Sequence, residues 1–73
     1  MNVKQAIDKM CEIEGKSQRT VSKEIGRNPS FLSTSMSKGS IPRVDTMAAI
    51  ARTCGFELVL RGHGVTIELG DDQ

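Results

Sequence analysis

"SQRTVSKEIGRNPSFLSTSMSKGSIP", residues 17–42, decides the fold. It holds two short helical patterns with a glycine between them. Ser17 is a hydroxyl N-cap, Val21 and Ile25 recur at helical spacing, and Gly26 closes the first pattern, predicting a helix over 17–25. Asn28 suits an N-cap, Pro29 a first helical position and Gly39 a left-handed C-terminal turn, predicting a second helix over about 29–37. Two short helices joined by a tight turn make a helix-turn-helix. The second helix carries Ser30, Ser33, Thr34, Ser35 and Ser37. Such residues form helices poorly because their hydroxyls compete for nearby backbone groups. On a helical wheel Leu32, Ser35 and Met36 share one face, Ser30, Thr34 and Ser37 lie opposite, and Phe31 and Ser33 flank them. The outward face therefore offers short hydroxyls and no bulky charge, which suits close approach to base edges or phosphates. Taken alone, the same face is equally compatible with a serine-rich solvated surface.

Outward from this stretch the elements are simple. Residues 2–14 read as a helix with Val3, Ala6, Ile7, Met10 and Ile13 at helical spacing, Asn2 as cap and Gly15 as stop. Residues 43–54 read as another, with an apolar stripe of Val44, Met47, Ala48, Ile50, Ala51 and Cys54 between Pro42 and Gly55. Then the period changes. Phe56, Leu58 and Leu60 alternate with Glu57, Val59 and Arg61, and Val65, Ile67 and Leu69 alternate with Thr66 and Glu68. With "GHG" at 62–64 between them, these predict a β-hairpin. The expected fold is mainly α: a bundle of four to five helices over 1–55, a hairpin over 56–69 and a frayed tail over 70–73.

A chain of 73 residues makes one small domain. With no Trp, no Tyr and two Phe, its core must be aliphatic and methionine-rich. Net charge is +1, but it is unevenly placed. Residues 16–43 carry Lys16, Arg19, Lys23, Arg27, Lys38 and Arg43 against Glu24 alone, a local +5. Residues 1–15 carry −1 (Lys4, Lys9, Asp8, Glu12, Glu14) and residues 44–73 carry −3 (Arg52, Arg61, Asp45, Glu57, Glu68, Asp71, Asp72). A basic segment coinciding with a helix-turn-helix is the footprint of phosphate-backbone binding. No secretory leader and no apolar run of membrane-spanning length is present, so a cytoplasmic setting is expected.

The order S-Q-x-x-V-S-x-x-I-G (17–26), N-P-S-x-L-S (28–33) and K-G-x-x-P (38–42) resembles the Cro/repressor-type helix-turn-helix family of phage and bacterial transcriptional regulators. The resemblance covers about residues 3–56 and includes the "TMAAIARTCGFEL" end of the last helix. It implies a repressor-like bundle that binds double-stranded DNA. It places Gln18, Pro29, Ser30, Ser33 and Thr34 at base-reading positions, and Ser17, Arg19, Arg27, Ser37, Lys38 and Arg43 toward phosphate. Lys16 is a further cation for the backbone, and Asn28 would cap the recognition helix. The chain departs from the family in two places. Ser22 stands where a small apolar residue, usually Ala, packs the two helices, which should loosen that contact; Gly39 comes one residue late.

The remaining candidates carry less. Cys11 and Cys54 lie on apolar stripes and read as core, and His63 lies in a turn between glycines, so no metal-ligand spacing arises. No nucleophile–base constellation is present, and no enzyme activity, cofactor or small-molecule ligand is expected. The hairpin, marginal in isolation and open at its edges, suggests a homodimer seam through Phe56, Leu58, Val59, Val65 and Ile67. Cro-like proteins that dimerise in this way support that expectation by analogy. The function expected is therefore that of a phage- or mobile-element-type repressor binding a pseudo-palindromic operator. The alternative is an antitoxin-like or accessory DNA-binding subunit whose hairpin takes a partner protein.

Overall fold

The structure, a computed structural model, describes residues 1–70; the remainder of the expected frayed tail lies outside them. Four helices are followed by an antiparallel hairpin: α1 (Val3–Glu14), α2 (Gln18–Glu24), α3 (Phe31–Ser37), α4 (Val44–Thr53), β1 (Leu58–Gly62) and β2 (Val65–Leu69). The expected mainly-α bundle with a C-terminal hairpin is the fold observed.

Local chemistry explains most boundaries. Asn2 and Gln5 form a reciprocal capping box, with Gln5 N donating to Asn2 Oδ1 (2.8 Å) and Asn2 N to Gln5 Oε1 (2.9 Å). α1 stops at Gly15, whose φ of 76° is costly for any residue with a Cβ. Ser17 caps α2 by accepting from Thr20 N at 3.1 Å. The hairpin turn is narrower than "GHG": Gly62 pairs with Val65, leaving His63 (φ 51°) and Gly64 (φ 72°) as the two left-handed loop residues that suit the strand twist.

The core is a cluster of Ile7, Met10 and Cys11 from α1, Val21 from α2, Leu32 from α3, and Ile50, Ala51 and Cys54 from α4 and its end. Val3, Ile25, Phe31, Met36 and Met47 pack around it. Two residues expected on the apolar stripes, Ile13 and Val44, are exposed instead. The buried stripe of α1 runs through Ile7, Met10 and Cys11, with Ile13 on its flank, and Val44 occupies the first position of α4.

The largest departure from expectation is the start of α3. It begins at Phe31, not Pro29, and Asn28 does not cap it. Asn28 Oδ1 instead accepts from Ser30 N (3.0 Å) and Ser30 Oγ (2.8 Å), a local turn that competes with a helix start. Pro29 sits in that turn, ahead of the helix. No local side chain caps α3; the acceptor comes from α2. Ser22 is fully buried, donates to Gln18 O (2.8 Å) and accepts from Leu32 N (3.2 Å). The serine expected to loosen the helix contact bonds across it. Ser22→Ala should therefore lower unfolding free energy by about 1–2 kcal/mol, because a buried Leu32 N–H loses its acceptor. Urea denaturation measures this directly, and an alanine variant as stable as the parent would remove Ser22 from this role.

Candidate nucleic-acid interface

α3 packs Leu32 into the core and leaves Ser33, Thr34, Ser37 and Lys38 exposed, with Phe31, Ser35 and Met36 half-buried on its sides. The hydroxyls on this surface are not equivalent. Ser30 Oγ is held by Asn28, and Ser33 Oγ donates to Ser30 O at 3.2 Å. Thr34 and Ser37 make no side-chain bond within the described residues, so their hydroxyls face solvent with both donor and acceptor capacity.

The cations divide into two groups. Arg19, Lys23 and Lys38 are exposed and form no ion pair among the described residues. The Arg27 guanidinium lies over the Phe31 ring, 4.8 Å from its centroid, which fixes its position beside the start of α3. Arg43 is almost fully solvated and touches Asp45 (Nε to Oδ1, 3.4 Å). Arg27 and Arg43 line one shallow depression of about 200 Å³ together with Phe31, Ser35 and Pro42, so two cations flank the same side of α3.

Lys16 belongs elsewhere. Its Nζ donates to Glu24 Oε1 (2.9 Å) and to Thr53 O (3.0 Å), with Glu14 Oε2 at 3.9 Å. The Glu24 hydrogen bond holds the ammonium above the usual lysine range. Lys16 thus ties the α1–α2 link to α2 and to the end of α4, and does not supply the free cation expected of it.

Two other expected contacts are partly committed. Gln18 Nε2 donates to Asp8 Oδ1 on α1, so one amide N–H and the amide oxygen are left to reach outward. Ser17 Oγ accepts from Thr20 N and donates to Thr20 Oγ1 (3.0 Å), which consumes it in capping. The structure therefore brings Ser33, Thr34, Ser37, Lys38, Arg27 and Arg43 together on or beside α3, with Arg19 on α2. It places Pro29 and Ser30 in the turn before the helix. Sequence reasoning missed the bridging role of Ser22 and the tether from Asp8 to Gln18; both join residues ten positions apart, beyond the reach of a local helical pattern.

Among the described residues, no group of three or more His, Cys, Asp or Glu side chains is placed to hold a metal, and no helix is long and apolar enough to cross a membrane. Comparisons with family models, with curated proteins and with solved structures gave no match.

Proposed function

We propose that the chain is a sequence-specific DNA-binding transcriptional regulator of the Cro/repressor type. In this reading it is a phage- or mobile-element-type repressor that acts in the bacterial cytoplasm as a homodimer on a pseudo-palindromic operator. The observation that carries this reading is the exposed surface of α3 at Thr34 and Ser37, unburdened by internal side-chain bonds, with Lys38 at its end and Arg27 and Arg43 beside it. α3 would lie in the major groove. The cations would fix register on phosphates, and Ser33, Thr34 and Ser37 would donate to or accept from base edges. With hydroxyls in place of arginine on the reading surface, DNA shape would carry part of the preference.

The hairpin supports the dimer. Cross-strand partners share a face, so Leu58, Leu60, Val65, Ile67 and Leu69 form one wholly apolar face. Leu60, Val65 and Ile67 on that face are 54–56% exposed. Val59 lies on the other face with Arg61, Thr66 and Glu68, and Phe56 precedes the strand. A two-fold seam on this face would use Leu58, Val65 and Ile67 as expected, and Leu60 and Leu69 in place of Val59. The same face could take a partner protein, which keeps the accessory-subunit reading in view.

Selection of bound duplexes from a random library tests the function, and a salt titration on the selected site tests its physics. Each real phosphate contact adds about 0.9 to the log–log salt slope. Lys38→Gln should lower the slope by about one such contact per subunit with sequence preference unchanged, whereas Lys16→Gln should lower stability and leave the slope alone. Affinity that hardly varies with salt, or a library that yields no common sequence, would overturn the reading.

A further inference from the structure

Gln18 is the first residue of α2, and both its backbone and its side chain are anchored. Ser22 Oγ donates to Gln18 O at 2.8 Å, and the same hydroxyl oxygen accepts from Leu32 N of α3 at 3.2 Å. The side chain is held separately: Gln18 Nε2 donates to Oδ1 of Asp8, an exposed residue of α1. A carboxylate accepts hydrogen bonds and does not donate them, so only the amide nitrogen can face Asp8. The bond therefore fixes which way round the amide stands. What remains to bond outward is an acceptor, Oε1, beside one N–H donor. That pair suits the major-groove edge of adenine, whose amino group donates and whose ring nitrogen accepts. It suits phosphate less, because phosphate oxygens only accept and the neighbouring carboxylate repels them.

We propose that Asp8 is a positioning residue for DNA recognition: it holds the Gln18 amide in one orientation, so that Gln18 reads an adenine and not a phosphate. This role rests on the DNA-binding reading above. Asp8 acts through Gln18 without touching DNA itself. Its effect is on selectivity more than on affinity. Its charge weakens binding to every duplex alike. The ordered amide favours the preferred duplex, because a glutamine side chain already fixed loses less rotamer freedom when it binds.

The test joins a DNA-free measurement to a double-mutant cycle on the full chain. In the free, isotope-labelled protein, nitrogen relaxation of the Gln18 side-chain amide should report an ordered group in the parent and a mobile one in Asp8→Ala. Melting should change little, since Asp8 is exposed and alanine favours a helix. Library selection with Gln18→Ala identifies the base pair whose preference is lost, expected to be A·T. Fluorescence anisotropy then gives the ratio of affinities for the selected duplex and for one altered at that pair. Asp8→Ala and Gln18→Ala should each lower this ratio by roughly tenfold, and the double variant by no more than Gln18→Ala alone. A purely electrostatic role would tighten binding to both duplexes equally and leave the ratio unmoved. An amide as mobile in the parent as in Asp8→Ala, an unmoved ratio, losses that multiply in the double variant, or a G·C pair at the affected position would each overturn the proposal. A parent with no sequence preference removes the DNA-binding reading and the role of Asp8 together; a preference that survives Asp8→Ala removes Asp8 alone.

Discussion

Thr34→Glu is expected to lower affinity for the selected duplex by about 100-fold or more while leaving the fold intact. Thr34 is exposed and makes no side-chain bond within the described residues, so nothing inside the protein is lost. Glutamate is also the better helix former at an interior position. The new carboxylate would meet the groove at the closest point of approach, between two strands of phosphate. Like charges juxtaposed at an interface cost several kcal/mol, and each 1.4 kcal/mol is about tenfold in affinity. In a two-fold complex the penalty is met at both half-sites. Thr34→Ala is the milder partner, expected to cost about 1–3 kcal/mol at the preferred site and little on random DNA. Thr34 is a cleaner probe than Ser30, whose hydroxyl also holds the Asn28 turn. Fluorescence anisotropy gives the affinities and thermal melting reports the fold. A glutamate variant that binds within a few-fold of the parent would mean α3 does not face the DNA.

If the proposed hairpin dimer forms, Ile67→Asp is expected to convert it to a monomer at micromolar concentration. Ile67 pairs with Leu60 across the strands, on the face that also presents Leu58, Val65 and Leu69. In the lone chain Ile67 is half exposed, so the hairpin itself can carry a solvated carboxylate there. Across a two-fold seam, the substitution buries two unpartnered charges, each costing several kcal/mol even after relaxation. Operator affinity should fall steeply as a consequence, because one short recognition helix without arginine has few contacts to offer. Val59→Thr, on the opposite face, is the control and should leave the assembly unchanged. Sedimentation of the three proteins distinguishes the cases. A parent chain that remains monomeric at these concentrations and on DNA would return the hairpin to service as a cover for α4.

Where a boundary is set by residues close together in sequence, the sequence showed it. Asn2 caps the start of α1, Gly15 ends it and Ser17 starts α2; of the expected 62–64 turn, Gly62 joins the strand and His63–Gly64 alone make the turn. The period-two pattern of 56–69 showed the two strands, with the first starting at Leu58 rather than Phe56, while the expected seam mixed Val59 of the opposite face with the apolar one. The start of α3 was misread because Asn28-Pro29-Ser30 satisfies two patterns, a cap and a local turn, and only the acceptor on Ser22 shows which prevails. The candidate surface was legible in Ser33, Thr34, Ser37, Lys38, Arg27 and Arg43, which lie on or beside one short helix. It was illegible for Lys16 and Gln18, whose partners Glu24, Thr53 and Asp8 are chosen by how the helices pack. Single-residue spacing places a cation near a helix; whether that cation is free depends on what the rest of the chain brings to it.

Titration of isotope-labelled protein with its selected duplex, followed amide by amide in heteronuclear NMR spectra, tests the central claim most directly. The account predicts that shifts at low stoichiometry concentrate on Arg19, Arg27, Ser33, Thr34, Ser37, Lys38 and Arg43, with Cys11, Ile50 and Cys54 in the core nearly still. Shifts centred on α1 or the outer face of the hairpin, with Thr34 and Ser37 unmoved at saturation, would contradict it.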